Sequence, residues 1–556
     1  MPLSFTSHSS NNTATERHAT ALHSAVLHAV EQHLAAHQPR YHRMHAYYTN
    51  ALTPALIAEG DAGSSRPYRQ AQEWGLPARI TGRKTHHSAA HATPFSSAYT
   101  TAACLTHAAS RKEVVIENDI GWRIDTQMAY LLGSELRLQS AARDPRLAAS
   151  ITRLMQLIVA RHGGHNFYQQ LALLGSIFGH VDVLVKLTPA ALAYPGDGPD
   201  PIPPADDPAD DPAADAPAAA GDDNRLQALA ECISLEIIDP RYGIPILDAH
   251  DYRIVRGYAV LSQVSTAAHA ATSSSATSSG AASTAARQSW WRKWSRLVPH
   301  TQPAVQQLLD VITPALWQRF EQTSRGDYVL VDSRPHALGQ VPLVHIQNQM
   351  VPLSYSGLSD VEPLIPLQDE LNTRLSDRGH RLAMQSFRMY LGKGIDNFDQ
   401  ISVGPGRLWI TDNTEAEVQE FGGDASAPSE EAHFADIRSA LDKASSVSPV
   451  AAGVLRQKVG NLTSAAALRL TMQALIAKTH RKRLTYGAGI SQIGQLALAW
   501  LDVAGLLRTQ PQDRALEVRW PPVVPEDPTE QLAQAEAKLR LGIRPETVLK
   551  ELGYAG

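Results

Sequence analysis

The sequence has little cysteine and no long apolar run. Two cysteines, Cys104 and Cys232, occur in 556 residues, too few for a disulfide framework or a cysteine-based zinc site. No apolar run approaches the roughly 18 residues that a membrane-spanning helix needs. The first residues lack the basic and then apolar pattern of a secretory signal. These absences predict a protein of a reducing cytoplasm, with no membrane contact.

The motifs of common enzymes are also missing. The sequence has no phosphate-binding P-loop and no cluster of carboxylates suited to a two-metal site. Residues 404–409, GPGRLW, lack the third glycine and the strand–helix setting of a dinucleotide fingerprint. The adjacent Glu430 and Glu431 are explained by the favourable interaction of acidic residues with a helix N-terminus. We therefore predict no catalytic residues, no cofactor and no enzymatic activity.

Acidic charge is concentrated in one segment. The formal net charge is −5, but residues 197–223 alone hold nine Asp and no Lys or Arg. The rest of the chain is close to neutral, unlike a basic protein that coats nucleic acid. Hydrophobic residues make up 43% of the sequence, enough for substantial cores, and the length predicts roughly three or four domains.

Residues 1–110 are rich in Ala, His, Ser and Thr, and are predicted to form a partly flexible N-terminal extension. Residues 19–37 have helical character and include His33 and His37 at the i, i+4 spacing of some metal sites. No further ligands are evident beside this pair, so surface histidines are favoured and no metal site is predicted.

Regular structure is predicted from residue 111 to residue 359, as one α/β domain. Residues 144–163 and the start of 164–189 have helical periodicity, and residues 180–187, HVDVLVKL, alternate like a strand. Residues 231–261 predict several strands, and residues 303–322 predict a helix. Two low-complexity inserts, residues 194–224 and 265–286, are predicted to be disordered.

The central stretch combines helices with a small insert. From residue 360, leucines at helical spacing face one side, and the other side is charged, so this helix needs partners along its length. It is predicted to continue to residue 394. The turn-rich insert 395–429 is too small to be stable alone. Residues 430–444 predict a second amphipathic helix.

A loop and a very long helix follow. The loop, residues 445–464, carries Arg456, Lys458 and Asn461 among small residues. Such a basic loop either contacts phosphates without sequence specificity or contacts only water. Residues 465–507 would extend about 60 Å as one helix, and Gly487 and Gly489 predict a kink. Residues 508–556 predict an extended segment and then two short helices.

The order of these parts resembles the portal (head-to-tail connector) proteins of tailed double-stranded DNA bacteriophages. The resemblance covers residues 111–556, apart from the two inserts. The motifs that carry it are NFYQQLALLGSIFGHVDVLVKL, ISLEIIDPRYGIPILD, GQVPLVHIQNQ, GLSDVEPLIPLQDELNTRLSD, VGNLTSAAALRL and the tail from WPPVVPEDP onward.

The resemblance implies an α+β portal fold, assembled as a dodecameric ring at one capsid vertex. Residues 111–359 with the long kinked helix 465–507 would form the wing. Residues 360–394 and 430–444 would be the stem helices, and 395–429 the small β clip. Residues 445–464 would be the tunnel loop, and 508–556 the helical crown.

The resemblance also implies a function and partners. The ring would be the channel for packaging and ejecting double-stranded DNA, without sequence specificity. Its partners would be the terminase large subunit, head-completion or adaptor proteins, and the major capsid and scaffolding proteins. The protein would be a virion component that assembles in the host cytoplasm. The residues expected to face DNA in the tunnel loop and stem are Arg456, Lys458, Asn461, Arg374, Arg378, Arg381 and Lys443.

Two other functions fit parts of the same sequence. A helical scaffold or adaptor that never touches DNA would share the amphipathic helices and would stay monomeric when purified. A nucleic-acid-processing enzyme would turn over ATP or need a metal cluster, and the sequence offers neither motif.

Overall fold

The protein is described by a computed structural model. The structure describes residues 14–54, 68–81, 114–188, 218–248, 250–265, 305–323, 327–386, 389–393, 415, 417–421, 428–449, 470, 472–523, 528–545 and 547–548. Within these ranges the chain mixes helices with small antiparallel sheets, which confirms the predicted α+β class.

Ten α-helices lie in the described residues. Their bounds are Ala14–Thr49 (α1), Ala78–Thr81 (α2), Asp119–Leu132 (α3), Pro145–Arg161 (α4), His165–Phe178 (α5), Ala218–Glu231 (α6), Ile365–Ser386 (α7), Pro428–Ser445 (α8), Gln473–Val503 (α9) and Pro528–Arg540 (α10).

The described strands form five sheets, and every ladder is antiparallel. The strands are Leu52–Pro54 (β1), Tyr68–Gln70 (β2), Arg137–Ser140 (β3), His180–Leu187 (β4), Ile233–Ile238 (β5), Gly243–Leu247 (β6), Val255–Ser265 (β7), Val305–Ile312 (β8), Leu316–Gln322 (β9), Tyr328–Pro335 (β10), Leu343–Gln347 (β11), Met389–Lys393 (β12), Glu417–Phe421 (β13) and Leu516–Arg519 (β14). The sheet orders are β10-β9-β8-β7-β6, β11-β4-β5, β1-β2, β12-β13 and β14-β3.

The chain divides into two compact units. The first unit contains residues 1–41, 127–359 and 476–556, and the second contains residues 42–126 and 360–475. Each unit is therefore assembled from segments that are far apart in the sequence.

The core of the first unit is built on the strand β4. Val181, Val183 and Val185 are fully buried on it, and helix α9 contributes Tyr486, Leu498 and Leu501 to the same apolar cluster. Asp144 caps the N-terminus of helix α4, and its side chain accepts a hydrogen bond from the Arg146 backbone N–H, which satisfies a free donor at the start of the helix. The predicted helices and strand at residues 144–187 are confirmed.

The turn from α5 into β4 depends on two glycines. Gly179 ends α5 in the left-handed conformation, with φ of 93°. A Cβ atom there would lie 2.4 Å from the Gly357 carbonyl oxygen, and a Cβ on Gly357 would lie equally close to the Gly179 oxygen. Because only glycine adopts this conformation without strain and leaves this space, the two backbones can approach.

The helix predicted at residues 303–322 is wrong. These residues form the strands β8 and β9, which pair with each other and turn at Thr313. Strand β8 also pairs along its length with β7, with Ile312 opposite Tyr258. Pairing with a distant strand outweighs the local helical pattern, and Pro314 in the turn cannot continue a helix.

The helix predicted to reach residue 394 ends earlier. Helix α7 ends at Ser386, and residues 389–393 form strand β12, which pairs with β13. The hairpin of the insert therefore begins before residue 395. The β-branched and aromatic content is low here, so the strand gave no clear signal in the sequence.

Part of the first predicted disordered insert is helical. Residues 218–224 belong to α6, and Asp223 accepts two hydrogen bonds from Arg153, at 2.8 and 2.9 Å. The end of the insert is ordered because α6 continues into Leu229 and Ala230, which pack in the first core. Residues 266–286 of the second insert lie outside the described residues.

The two glycines of the long helix lie at close contacts. Helix α9 is one helix from Gln473 to Val503. A Cβ on Gly489 would lie 2.3 Å from Ile346 Cγ1, and one on Gly487 would lie 3.3 Å from Trp520 Nε1. These positions let neighbouring side chains approach the helix backbone, which gives the glycines a packing role.

Candidate functional site

The two helices predicted as a stem, α7 and α8, pack in the second unit. Leu371 on α7 and Leu364 directly before it are fully buried, and Phe434, Ile437 and Leu441 are buried on α8. The pair exposes a strip of charged residues. Four of the seven residues expected to face DNA lie on it: Arg374, Arg378, Arg381 and Lys443.

The three arginines of α7 all lie beside carboxylates of the same chain. Arg374 Nε lies 2.7 Å from Glu370 Oε1, four residues earlier on the helix. Arg381 forms an ion pair with Glu430. Arg378 lies 3.9 Å from Glu431, and its guanidinium also lies 5.6 Å from the centre of the Phe434 ring.

These pairs weaken the positive field of the strip. Partial burial opposes ionisation of Glu370, but hydrogen bonds from Arg374 and His433 hold its pKa below the usual value. The side chains of Arg374 and Glu370 remain 45% and 41% exposed, and such surface pairs contribute only about 0–1 kcal/mol. DNA contact by the three arginines stays a prediction.

Of the other four residues expected to face DNA, the structure describes only Lys443. Lys443 is exposed in the last turn of α8 and makes no ion pair with another described residue. Arg456, Lys458 and Asn461 lie outside the described residues, so their contact with DNA also stays a prediction.

A row of buried polar side chains on α7 was not predicted from the sequence. Gln368, Asn372 and Ser376 lie four residues apart, and all three are buried. Asn372 Oδ1 accepts a hydrogen bond from the Glu117 backbone N–H at 3.0 Å, and Ser376 Oγ accepts one from the Val115 backbone N–H at 3.0 Å. These contacts replace the backbone pairing that residues 115–117 would otherwise need.

A buried arginine holds the end of α8. Arg123 on α3 is 1% exposed. Its Nη1 donates to Asp442 Oδ1 at 2.6 Å and to the Val447 carbonyl oxygen at 2.7 Å. Its Nη2 donates to Asp119 Oδ2 at 3.2 Å. The i, i+4 pair with Asp119 is visible in the sequence, but the contacts with α8 span more than three hundred residues.

The first unit contains a second buried polar cluster, centred on Asp182 of β4. Asp182 is 1% exposed and accepts hydrogen bonds from Tyr258 Oη at 2.7 Å and Tyr355 Oη at 3.1 Å. His345 Nδ1 lies 2.6 Å from the same carboxylate, and its Nε2 lies 2.8 Å from the Tyr355 carbonyl oxygen. Both ring nitrogens of His345 therefore face acceptor oxygens.

Burial and neighbouring side chains shift the pKa values of the titratable groups in and around this cluster. Burial alone would raise the pKa of Asp182, but the interaction and hydrogen bond with His345 hold it below the usual value. Burial lowers the pKa of His180 to about 3 and that of His33 to about 4. The rings of His33 and His37 lie 4.4 Å apart, and burial also lowers the pKa of His37.

No group of three or more His, Cys, Asp or Glu in the described residues is arranged to hold a metal ion. No described helix is long and apolar enough to cross a lipid bilayer.

Comparison with known proteins gives one family. Residues 305–553 match the family model of phage portal proteins of the SPP1 Gp6-like type. This match confirms, over these residues, the resemblance to phage portal proteins found in the sequence. The matched region includes α7, the β12–β13 hairpin, α8, α9 and α10.

Two further comparisons were weaker. No curated protein matches the chain. A chain in the solved virion of a native gene transfer agent particle covers 78% of this chain and 90% of its own length, at 13% identity and a TM-score of 0.38. That similarity is too low to establish a shared fold.

Proposed function

We propose that this protein forms the dodecameric portal ring at one capsid vertex of a tailed phage particle. The observation that carries the proposal is the portal family match of residues 305–553. The order of α7, the β12–β13 hairpin, α8 and the long helix α9 supports it, because this is the order of parts in the portal fold described above.

The parts of the ring follow from this order. Helices α7 and α8 would be the stem, and the β12–β13 hairpin would belong to the clip, which docks the terminase large subunit and later the head-completion proteins. Residues 111–359 with α9 would be the wing, and α10 would lie in the crown. Contacts with the major capsid and scaffolding proteins would hold the ring in the vertex.

The channel would let DNA slide without holding it. Strong binding to many phosphates would slow translocation, because each neutralised phosphate adds to the affinity. The ion pairs of Arg374, Arg378 and Arg381 with Glu370, Glu431 and Glu430 reduce such binding along the stem. Arg456 and Lys458 of the tunnel loop would then supply most of the guidance, repeated around the ring.

The protein would supply no chemical energy itself. Translocation would be driven by the terminase, and the purified portal would hydrolyse no ATP. The protein would reside in the virion at the portal vertex, after assembly in the host cytoplasm.

Replacing the loop cations tests this proposal. We expect Arg456→Ala with Lys458→Ala to lower the DNA packaged per particle roughly tenfold, because sequence-independent phosphate contacts are lost. Ring formation should be unchanged. The measurements are nuclease-protected DNA in assembled heads and ring counts by electron microscopy.

A matched control loses the same charge elsewhere. Arg253 and Arg256 are 74% and 69% exposed and pair locally with Asp251 and Asp248. Arg253→Ala with Arg256→Ala should leave packaging unchanged. Equal packaging by the loop variant and this control would contradict a role of the loop cations in guiding DNA.

A further inference from the structure

The loop after β11 exposes two large apolar side chains. Met350 and Leu353 are 76% and 85% exposed. Leu353 also has φ of 61°, a left-handed conformation that is rare for a bulky side chain. Because such backbone strain persists only where the surrounding structure fixes it, we looked for the contacts that hold this loop.

Hydrogen bonds hold the loop on the first unit. Gln347 Nε2 donates to the carbonyl oxygens of Ser354 and Tyr355, at 2.8 and 2.9 Å. Tyr355 Oη in turn donates to the buried carboxylate of Asp182 at 3.1 Å. The fold therefore presents its two exposed apolar side chains at the tip of an anchored loop.

The same unit has an open cavity of about 520 Å³, between β3, α4 and the start of α5. This volume lies in the range of about 300–1,000 Å³ that is usual for binding pockets. Leu138, Met155 and Tyr168 line the cavity and are buried, whereas the charged lining residues Glu135 and Arg137 are exposed. An apolar interior within a charged rim is the usual composition of a protein–protein contact.

Tyr168 adds a polar group to this interior. It is 5% exposed, and its hydroxyl has no hydrogen-bond partner among the described residues. A buried tyrosine hydroxyl usually has such a partner. The cavity therefore favours an occupant that brings a hydrogen-bond acceptor, such as the main-chain carbonyl of an inserted loop.

The loop and the cavity lie at opposite ends of α5. The Asn348 backbone N–H donates to the carbonyl oxygen of Gly179, which ends the helix, at 2.9 Å. The cavity is lined by Gly164 and His165, where the helix begins. The 14 residues of α5 separate the two places by about 20 Å, so the loop tip does not reach the cavity of its own chain.

Two different surfaces at a fixed separation on one unit suit head-to-tail association. In such an association each copy contributes its loop to one neighbour and its cavity to the other, and the series of copies can close into a ring.

We propose that the loop tip formed by Met350 and Leu353 inserts into the cavity at the start of α5 of a second copy of this chain. This inference rests on the proposed ring, because each subunit there has one neighbour on either side. Transfer of the two exposed side chains from water into an apolar interior stabilises the contact.

Leu353→Asn tests the loop tip. Asparagine tolerates the left-handed conformation, so the unfolding midpoint of unassembled protein should be unchanged or higher. The protein concentration at which rings assemble should rise at least about tenfold, because a buried apolar contact is lost. Both are measured on full-length protein, by urea titration and by analytical ultracentrifugation. Met350→Ser provides a second variant with the same expected direction.

A matched control removes an exposed apolar side chain elsewhere in the first unit. Ile254 is 52% exposed, and Ile254→Asn should leave ring assembly unchanged. Normal assembly by Leu353→Asn would overturn the inference. A lowered unfolding midpoint for Leu353→Asn would also overturn it, since Leu353 would then pack within its own subunit.

Cross-linking tests the pairing of the two surfaces directly. Leu157 lines the cavity, and the double variant Leu353→Cys with Leu157→Cys carries one thiol at each surface. A short bismaleimide should join assembled subunits into covalent oligomers larger than dimers. Either single variant should give none larger than dimers. Rings of the double variant that yield no such oligomers would contradict insertion of the loop into this cavity.

The outcomes separate the inference from the proposed function. Absence of rings from the natural protein would overturn the proposed function, and the inference with it. Rings that persist in Leu353→Asn at the natural concentration would overturn the inference alone.

Discussion

Asp182→Ala is expected to destabilise the first unit by about 3–5 kcal/mol, because each buried hydrogen-bond donor that loses its acceptor costs about 1–3 kcal/mol. The change leaves Tyr258 Oη, Tyr355 Oη and His345 Nδ1 without their shared acceptor. Tyr258 is fully buried, so water cannot replace the carboxylate without a rearrangement of the core. The urea concentration at the unfolding midpoint should fall accordingly.

A conservative variant and a surface control sharpen this test. Asp182→Asn keeps one acceptor oxygen and should cost less than Asp182→Ala. Asp251→Ala removes an aspartate whose arginine partner is 74% exposed and should change the midpoint little. An Asp182→Ala protein as stable as the Asp251→Ala control would contradict the hydrogen-bonded cluster described here.

Acidification from pH 6.5 to pH 4.5 is expected to destabilise the first unit strongly. The pKa values of His33 and His180 lie near 4 and 3 in the folded chain, against about 6.5 in an unfolded one. Between those values the unfolded chain binds more protons, so stability falls as the pH falls. Stability from these groups is complete above pH 6.5.

The size of the acid effect follows from proton linkage. Each histidine that stays neutral in the folded chain lowers the free energy of unfolding by about 1.4 kcal/mol for each pH unit below its unfolded pKa. Partial solvent exposure of His33 reduces its share. We expect unfolding midpoints measured from pH 7.5 to 4.5 to decline steadily below pH 6.5.

Variants without the titrating rings provide the control for the acid effect. The ring of His180 lies edge-on against Tyr41 and Tyr355, and its Nδ1 has no hydrogen-bond partner among the described residues. His180→Phe should therefore keep the ring contacts and flatten the decline. A variant with the same pH dependence as the natural protein would show that His180 does not stay neutral in the folded chain.

Local elements with strong periodicity could be predicted from the sequence. Strand β4 was visible in the alternation of HVDVLVKL, and helix α4 in its apolar spacing after Asp144 and Pro145. Helix α8 was predicted within two residues of its bounds. These elements are set by nearby residues, which a single sequence shows directly.

Contacts between distant residues could not be predicted. The sequence predicts a helix where strand β8 lies, because its partner β7 lies beyond an insert, and it gives no sign that Gln368, Asn372 and Ser376 are buried. Asp182 and His345 are 163 residues apart, and Arg123 and Asp442 are 319 apart. Their pairing depends on the assembled units and leaves no spacing pattern in the sequence.

For part of the candidate site, the sequence could predict the type of residue but not its contacts. Family resemblance pointed to the cations of the stem and loop, but it gave no information on their partners. The acidic residues Glu370, Glu430 and Glu431 determine the field around Arg374, Arg381 and Arg378. Such intrachain pairing is decided by side-chain geometry at the helix contact.

Electron microscopy of the purified full-length protein, over a range of salt and protein concentrations, tests the central claim most directly. The portal function predicts closed rings with a central hole wide enough for duplex DNA. Only monomers or irregular small assemblies under all conditions would contradict it and would favour a helical adaptor that does not enclose DNA.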